Sequence, residues 1–196
     1  MKTLGMSMLA LSVALGMLSQ HALAQTNLLE RTLIIEYHNS ILDHYFLSTP
    51  PEAPIIDAGG AGPGWQRTGE TFYVESLAYH PNGRMLCRFY GSVSPGPNSH
   101  FFTLDASECD FLKQLQAQTP PDQPRWNYEG LAFPAGTPTN GQCLNFYYSK
   151  PVYRLYNNGF WRGVDSNHRF ATRPEIVSQM VGRYWTLEGV AFCALP

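Results

Sequence analysis

Charge is scarce in this 196-residue chain: Asp, Glu, Lys and Arg make up 14% of it, and the formal net charge is −2. Its 13 basic residues are scattered without a Lys/Arg run, which excludes the electrostatic footprint of a nucleic-acid binder. Motifs that carry chemistry are missing too. There is no G-x-S-x-G elbow, no G-x-x-x-x-G-K-[ST] phosphate loop, no dinucleotide G-x-G-x-x-G and no C-x-x-C pair. After the first residues, no stretch is apolar enough to cross a bilayer. What is abundant points elsewhere. With 44% hydrophobic residues, 13% aromatics, 15 Pro and 17 Gly, the composition excludes disorder and predicts short strands and many turns around a real core.

The chain opens as a targeting segment. Lys2 supplies a positive start, residues 4–18 are apolar, and Ala22-Leu23-Ala24 gives a small-x-small cleavage signal before Gln25. Residues 1–24 are therefore expected to be a cleaved signal peptide and 25–196 one exported domain, periplasmic or extracellular. Four cysteines follow, Cys87, Cys109, Cys143 and Cys193. An even count in an exported chain predicts two disulfides, with three connectivities possible.

Self-comparison reveals a triplicated pattern. One copy reads Ile35-Glu36-Tyr37-His38-Asn39, Asp43-His44-Tyr45-Phe46, Trp65-Gln66-Arg67-Thr68-Gly69 and Phe72. The second reads Cys87-Arg88-Phe89-Tyr90-Gly91, Ser99-His100-Phe101-Phe102, Trp126-Asn127-Tyr128-Glu129-Gly130 and Phe133. The third reads Tyr153-Arg154-Leu155-Tyr156-Asn157, Asn167-His168-Arg169-Phe170, Trp185-Thr186-Leu187-Glu188-Gly189 and Phe192. In every copy Gly follows Trp by four places and Phe follows Gly by three. The repeats span about 33–74, 85–134 and 144–193.

Two aromatic-rich runs in each copy predict strands joined by a variable turn. Capping boxes follow: Thr49-Pro50-Pro51-Glu52, Asp105-Ala106-Ser107-Glu108 and Thr172-Arg173-Pro174-Glu175. The second opens the clearest helix, 106–118, with Cys109, Leu112 and Leu115 on one face. The third opens a shorter one, 173–181, that Gly182 is placed to end. In the first, Pro54 cuts the helix to about a turn. The Trp…Gly…Phe run predicts a third strand. The expected fold is therefore α+β and strand-dominated, with three strand-strand-helix-strand repeats around a pseudo-threefold axis, propeller-like or trefoil-like. Phe72, Phe133 and Phe192 are core candidates. So are Trp65, Trp126 and Trp185, although a Trp beside a turn also serves as a stacking platform. Repeat logic favours the pairings Cys87–Cys109 and Cys143–Cys193.

These motifs resemble a bacterial domain-of-unknown-function repeat family with the pattern Y-R-x-Y-N, D-H-F-Y-T and W-x-x-E-G-x-A-F. The likeness runs from about Leu33 to Phe192. Members of that family look like secreted accessory modules, some joined to cell-wall hydrolases, so the resemblance implies a cell-wall or carbohydrate-binding role. The first copy departs from the pattern at one paired position. Where the others carry Arg88 with Glu129 and Arg154 with Glu188, it has Glu36 and Thr68. These positions are expected to be neighbours in space, because Arg pairs with a carboxylate through two hydrogen bonds.

Function is expected at the variable turns, 39–42, 91–99 and 157–167. Sugar sites stack aromatic rings on C–H faces while polar side chains fix the hydroxyls. Trp161 is the only tryptophan outside the repeat register. With Phe160, Arg162, Asp165 and Asn158 on its own turn, and Asn39 and Asn98 on the others, it forms the candidate ligand surface. The expected function is that of a secreted, non-catalytic module binding a cell-surface polymer, glycan or peptidoglycan. Two alternatives compete with it. A metal-dependent hydrolase would use His44, His100 and His168 as zinc ligands, leaving a fourth position for water. A periplasmic protein–protein adaptor would expose an apolar patch at Phe160–Trp161.

Overall fold

The computed structural model describes residues 31–75, 83–91 and 93–196, so the expected signal segment lies outside the described residues. In chain order it contains β1 (Arg31–Asn39), β2 (His44–Ser48), α1 (Ala53–Asp57), β3 (Trp65–Glu75), β4 (Gly83–Tyr90), β5 (His100–Thr103) and α2 (Ala106–Gln118). There follow β6 (Asn127–Gly136), β7 (Lys150–Tyr156), α3 (Gly159–Arg162), β8 (His168–Ala171), α4 (Pro174–Gly182) and β9 (Thr186–Ala194). The architecture is strand-dominated α+β, and the strands pair antiparallel throughout.

In three successive stretches the earliest strand lies in the middle, giving the orders β2-β1-β3, β5-β4-β6 and β8-β7-β9. The second and third stretches join at Gly136 and Cys193, so one sheet has three strands and the other six. Alternation explains the burial. On β3, Glu70, Phe72 and Val74 point inward while Thr71 and Tyr73 are exposed. The glycine four places after each tryptophan also has a backbone reason. Gly69, Gly130 and Gly189 have φ of 83°, 117° and 115° and sit where the pairing with β1, β4 and β7 slips. A bulge at that point demands a positive φ, which only glycine adopts without strain.

The core is aromatic. Phe72, Phe133 and Phe192 are all buried and form a triangle, with ring centroids 6.3, 5.9 and 6.0 Å apart. Phe102 and Phe170 extend this cluster. Trp65, Trp126 and Trp185 are only partly buried and pack against the edges of separate clusters. Cys87 is bonded to Cys109, stapling β4 to α2, and Cys143 to Cys193, stapling the loop after β6 to β9.

Helix ends depart from the expected grammar. Asp105 does cap α2, accepting from the N–H groups of Ser107 and Glu108. Glu52 reaches back to the N–H of Thr49. Beside α4, however, the N–H of Thr172 bonds to Glu70 of β3, 102 residues away, and not to Glu175. A buried carboxylate from another stretch has replaced the local one. The left-handed residue after α4 is Tyr184, with φ 66°, while Gly182 remains helical.

Candidate functional site

The repeated Arg and Glu positions meet as expected. Arg88 Nε lies 2.9 Å from Glu129 and Arg154 Nε 2.8 Å from Glu188. Each arginine also reaches into the preceding stretch, Arg88 to Glu52 at 2.6 Å and Arg154 to Glu108 at 2.9 Å. In the first stretch, Thr68 donates to Glu36 at 2.6 Å, and the missing cation arrives from Arg169 of β8, whose Nε and Nη2 donate to Glu36 at 3.0 and 2.8 Å. Burial pushes the Glu36 carboxyl above its ordinary value, against the pull of Arg169 and Thr68. At Glu129, His100 and Arg88 outweigh burial and hold the carboxyl below its ordinary value. The recurring Arg and Glu side chains of the central and third strands are thus paired, and Arg88, Arg154 and Arg169 each tie one stretch to another.

The three histidines proposed as zinc ligands do not converge. Among the described residues, no group of three His, Cys, Asp or Glu side chains is placed to hold a metal. His100 stacks on Tyr90, with its Nε2 3.5 Å from Glu129, and His168 stacks on Tyr156, with its Nε2 3.6 Å from Glu188. His44 is displaced from this arrangement by a one-residue slip. Tyr90 faces His100 and Tyr156 faces His168, but their counterpart His38 faces Tyr45. A slip of one residue turns a side chain to the opposite face of a strand. Tyr45 takes the histidine's place beside Arg169, and His44 turns into the interior, only 1% exposed.

The turns 39–42, 91–99 and 157–167 meet at one end of the molecule. Asp165 accepts from the Gly96 N–H and from Asn98, while Ser99 donates to the Ser166 carbonyl. Two clefts open there and share the wall formed by Pro95, Gly163 and Val164. The larger, about 570 Å³, is lined by Leu115, Trp126, Tyr156, Phe160 and His168 together with Pro97 and Pro124. Beside it Phe160 and Trp161 stand 71% and 82% exposed, edge to face at 5.1 Å. The smaller, about 410 Å³, is polar, with Asp43, His44, Arg162, Asp165 and Asn167 on its walls.

The structure separates the candidate ligand residues into two kinds. Phe160 and Trp161 are free surface, and Arg162 lines the polar cleft. The asparagines have structural duties. Asn39 is buried, accepts from the N–H groups of Ile41 and Leu42 and donates to the Pro63 carbonyl, so it shapes its turn and offers no surface. Asn158 donates to the Tyr184 carbonyl and accepts from Thr186, while Asn98 is spent on Asp165. Sequence reasoning overlooked Leu115, Tyr156 and the cleft prolines. Leu115 had a readable signal, since it lies at the end of its helical stripe, where α2 outruns the core and leaves it 38% exposed.

Fold and clefts together define a small, strand-dominated module, closed by two disulfides of a kind typical of exported proteins and carrying an aromatic groove at one end. Among the described residues, no helix is long and apolar enough to cross a membrane. The chain belongs to the family described as Domain of unknown function (DUF5648), which it matches over residues 32–195. No curated protein and no solved structure matches it.

Proposed function

We propose that the protein is an exported, non-catalytic module that binds a cell-surface polymer, a glycan or peptidoglycan, along the aromatic cleft. One observation carries this reading. An open cleft of about 570 Å³ is floored by Trp126, Tyr156 and His168, and an exposed Phe160–Trp161 pair extends its rim. Large rings in solvent are costly unless something covers them, and rigid aromatics set at the mouth of a groove suit the C–H faces of a sugar chain.

We also infer that the three stretches form a ring about a pseudo-threefold axis. The near-equilateral phenylalanine triangle supports this, as do the like strand orders and the chain of contacts in which His100 packs on Phe46, His168 on Phe101 and Tyr45 on Arg169. A ring of this kind brings the three turns to one end, where a polymer meets all of them.

Pull-down on purified peptidoglycan and on insoluble polysaccharides tests the reading. Saturable capture is expected, weakened about tenfold or more in Trp161→Ala and Phe160→Ala. Absence of saturable capture on every polymer overturns it. The exposed Phe160–Trp161 pair equally favours a second reading, a protein–protein adaptor. That reading gains if no polymer is captured and co-migration with a periplasmic protein in size exclusion depends on Trp161.

A further inference from the structure

We propose that the polar cleft where the three turns meet is a separate binding site for a small neutral polyhydroxylated molecule, a single sugar residue or polyol, held by His44 and Asn167. The two side chains come from different stretches and line one cleft of about 410 Å³. That volume falls in the range of small-molecule sites and far exceeds the ~30 Å³ of one water. Both residues are buried, and each keeps one polar atom without a partner, Nε2 of His44 and Oδ1 of Asn167. The amide group of Asn167 is held by donating to the Asp43 carbonyl, which leaves its oxygen as a fixed, unfilled acceptor. Leaving two such atoms unpaired costs about 1–3 kcal/mol each, a deficit that a ligand able to reach both removes.

The chemistry of the walls selects the ligand. Burial pushes His44 down to about 4, so at physiological pH its ring is neutral and presents one donor and one acceptor. Asn167 offers only an acceptor, so the ligand must donate to it and either donate to or accept from His44. Hydroxyl groups do both. A divalent cation is poorly served. Asp165 already accepts from Gly96 and Asn98, Asp43 is paired with His38 at 3.0 Å, and Arg162 adds a positive charge to the same wall. An anion fares no better, facing both aspartates with one arginine. Near-balanced charge around two unfilled neutral atoms suits an uncharged polyol.

The test uses the whole mature protein, labelled with 15N, and follows the ring nitrogens of His44 by NMR during titration. The probes are D-glucose, D-galactose, N-acetyl-D-glucosamine and glycerol, with calcium chloride and sodium sulfate as charged comparisons. A saturable His44 shift is expected with at least one neutral probe, weakened roughly tenfold in Asn167→Ser, as befits one lost hydrogen bond to a buried group. The wild-type titration stands whether or not that variant folds. His44→Gln, which keeps a donor and an acceptor, is expected to retain part of the affinity by calorimetry. Trp161→Ala is expected to leave the titration unchanged, so this site and the aromatic cleft fail separately. No saturable shift with any neutral probe, or a shift with calcium or sulfate alone, overturns the proposal. So does a folded Asn167→Ser that binds as tightly as the wild type.

Discussion

Two junctions of this molecule are built alike and the third is built in reverse. Between the first and second stretches, and between the second and third, an arginine on the central strand is clamped by two glutamates and lies over an aromatic ring, Arg88 over Phe46 and Arg154 over Phe101. Between the third and first, the central strand carries the acid, Glu36, and the ring's position carries the cation, Arg169. The attraction is kept while its direction is exchanged. Glu70 completes the reversal by taking over the hydrogen bonds of Thr172 and pairing with Arg173. A junction is therefore defined by complementary charge across it. Which side supplies which sign is free to change, provided both sides change together.

The reversed junction is also the more deeply buried. The Arg169 and Glu36 side chains are 8% and 1% exposed, against 18–32% for the groups around Arg154. Removing either partner there strands a buried charge, so Glu36→Ala or Arg169→Ala is expected to cost about 3–5 kcal/mol by denaturant unfolding. Arg154→Ala is expected to cost less. The combination Glu36→Arg, Thr68→Glu and Arg169→Phe rebuilds the pattern of the other two junctions. It is expected to recover more than half the loss of the single variants, and recovery of none would show that the three junctions are not equivalent.

Covalent staples differ between the stretches as well, since neither disulfide touches the first. By chain entropy, losing Cys143–Cys193 or Cys87–Cys109 is expected to cost about 3–4 kcal/mol, slightly more for the longer loop, as paired Cys→Ala variants will show. A smaller effect comes with pH. Burial pushes His44 down to about 4 and His168 down to about 3, with Arg154 adding to the effect at His168. Below pH ~6.5 the unfolded chain takes up protons that the folded chain refuses. Stability therefore falls with falling pH from about 6.5 toward 4, by up to about 1.4 kcal/mol per unit for each histidine. Unfolding free energies measured between pH 7 and 4.5 check this, and His168→Gln should halve the slope. Trp161→Ala is expected to change stability by no more than about 0.5 kcal/mol, because its side chain is 82% exposed. A larger change would mean the rim also supports the fold.

Much of the scaffold was legible because it is written in short-range chemistry. The helix 106–118 follows from Asp105 and an apolar stripe, the bulges from Gly69, Gly130 and Gly189, and the Arg–Glu contacts from repeat register. The reading failed where one residue's partner lies far along the chain. Thr172 looked like the start of a local capping box until Glu70 supplied a better acceptor. His44 looked equivalent to His100 and His168, yet the β1–β2 register slips by one place and sends it inward. Alignment counts positions, whereas the pleat decides faces.

The amino-acid order alone determined where most strands and helices run and where the strand bulges fall. Those outcomes follow from alternation, caps and turn residues acting over a few neighbours. Only the tertiary structure decided the rest. It brought Glu36 to Arg169, realised one cysteine pairing of the three possible, gathered three separate turns around one cleft, and placed His44 and Asn167 among its walls. Contacts between residues more than a hundred positions apart depend on how sheets pack, and sheet packing is set by the summed burial of the whole chain.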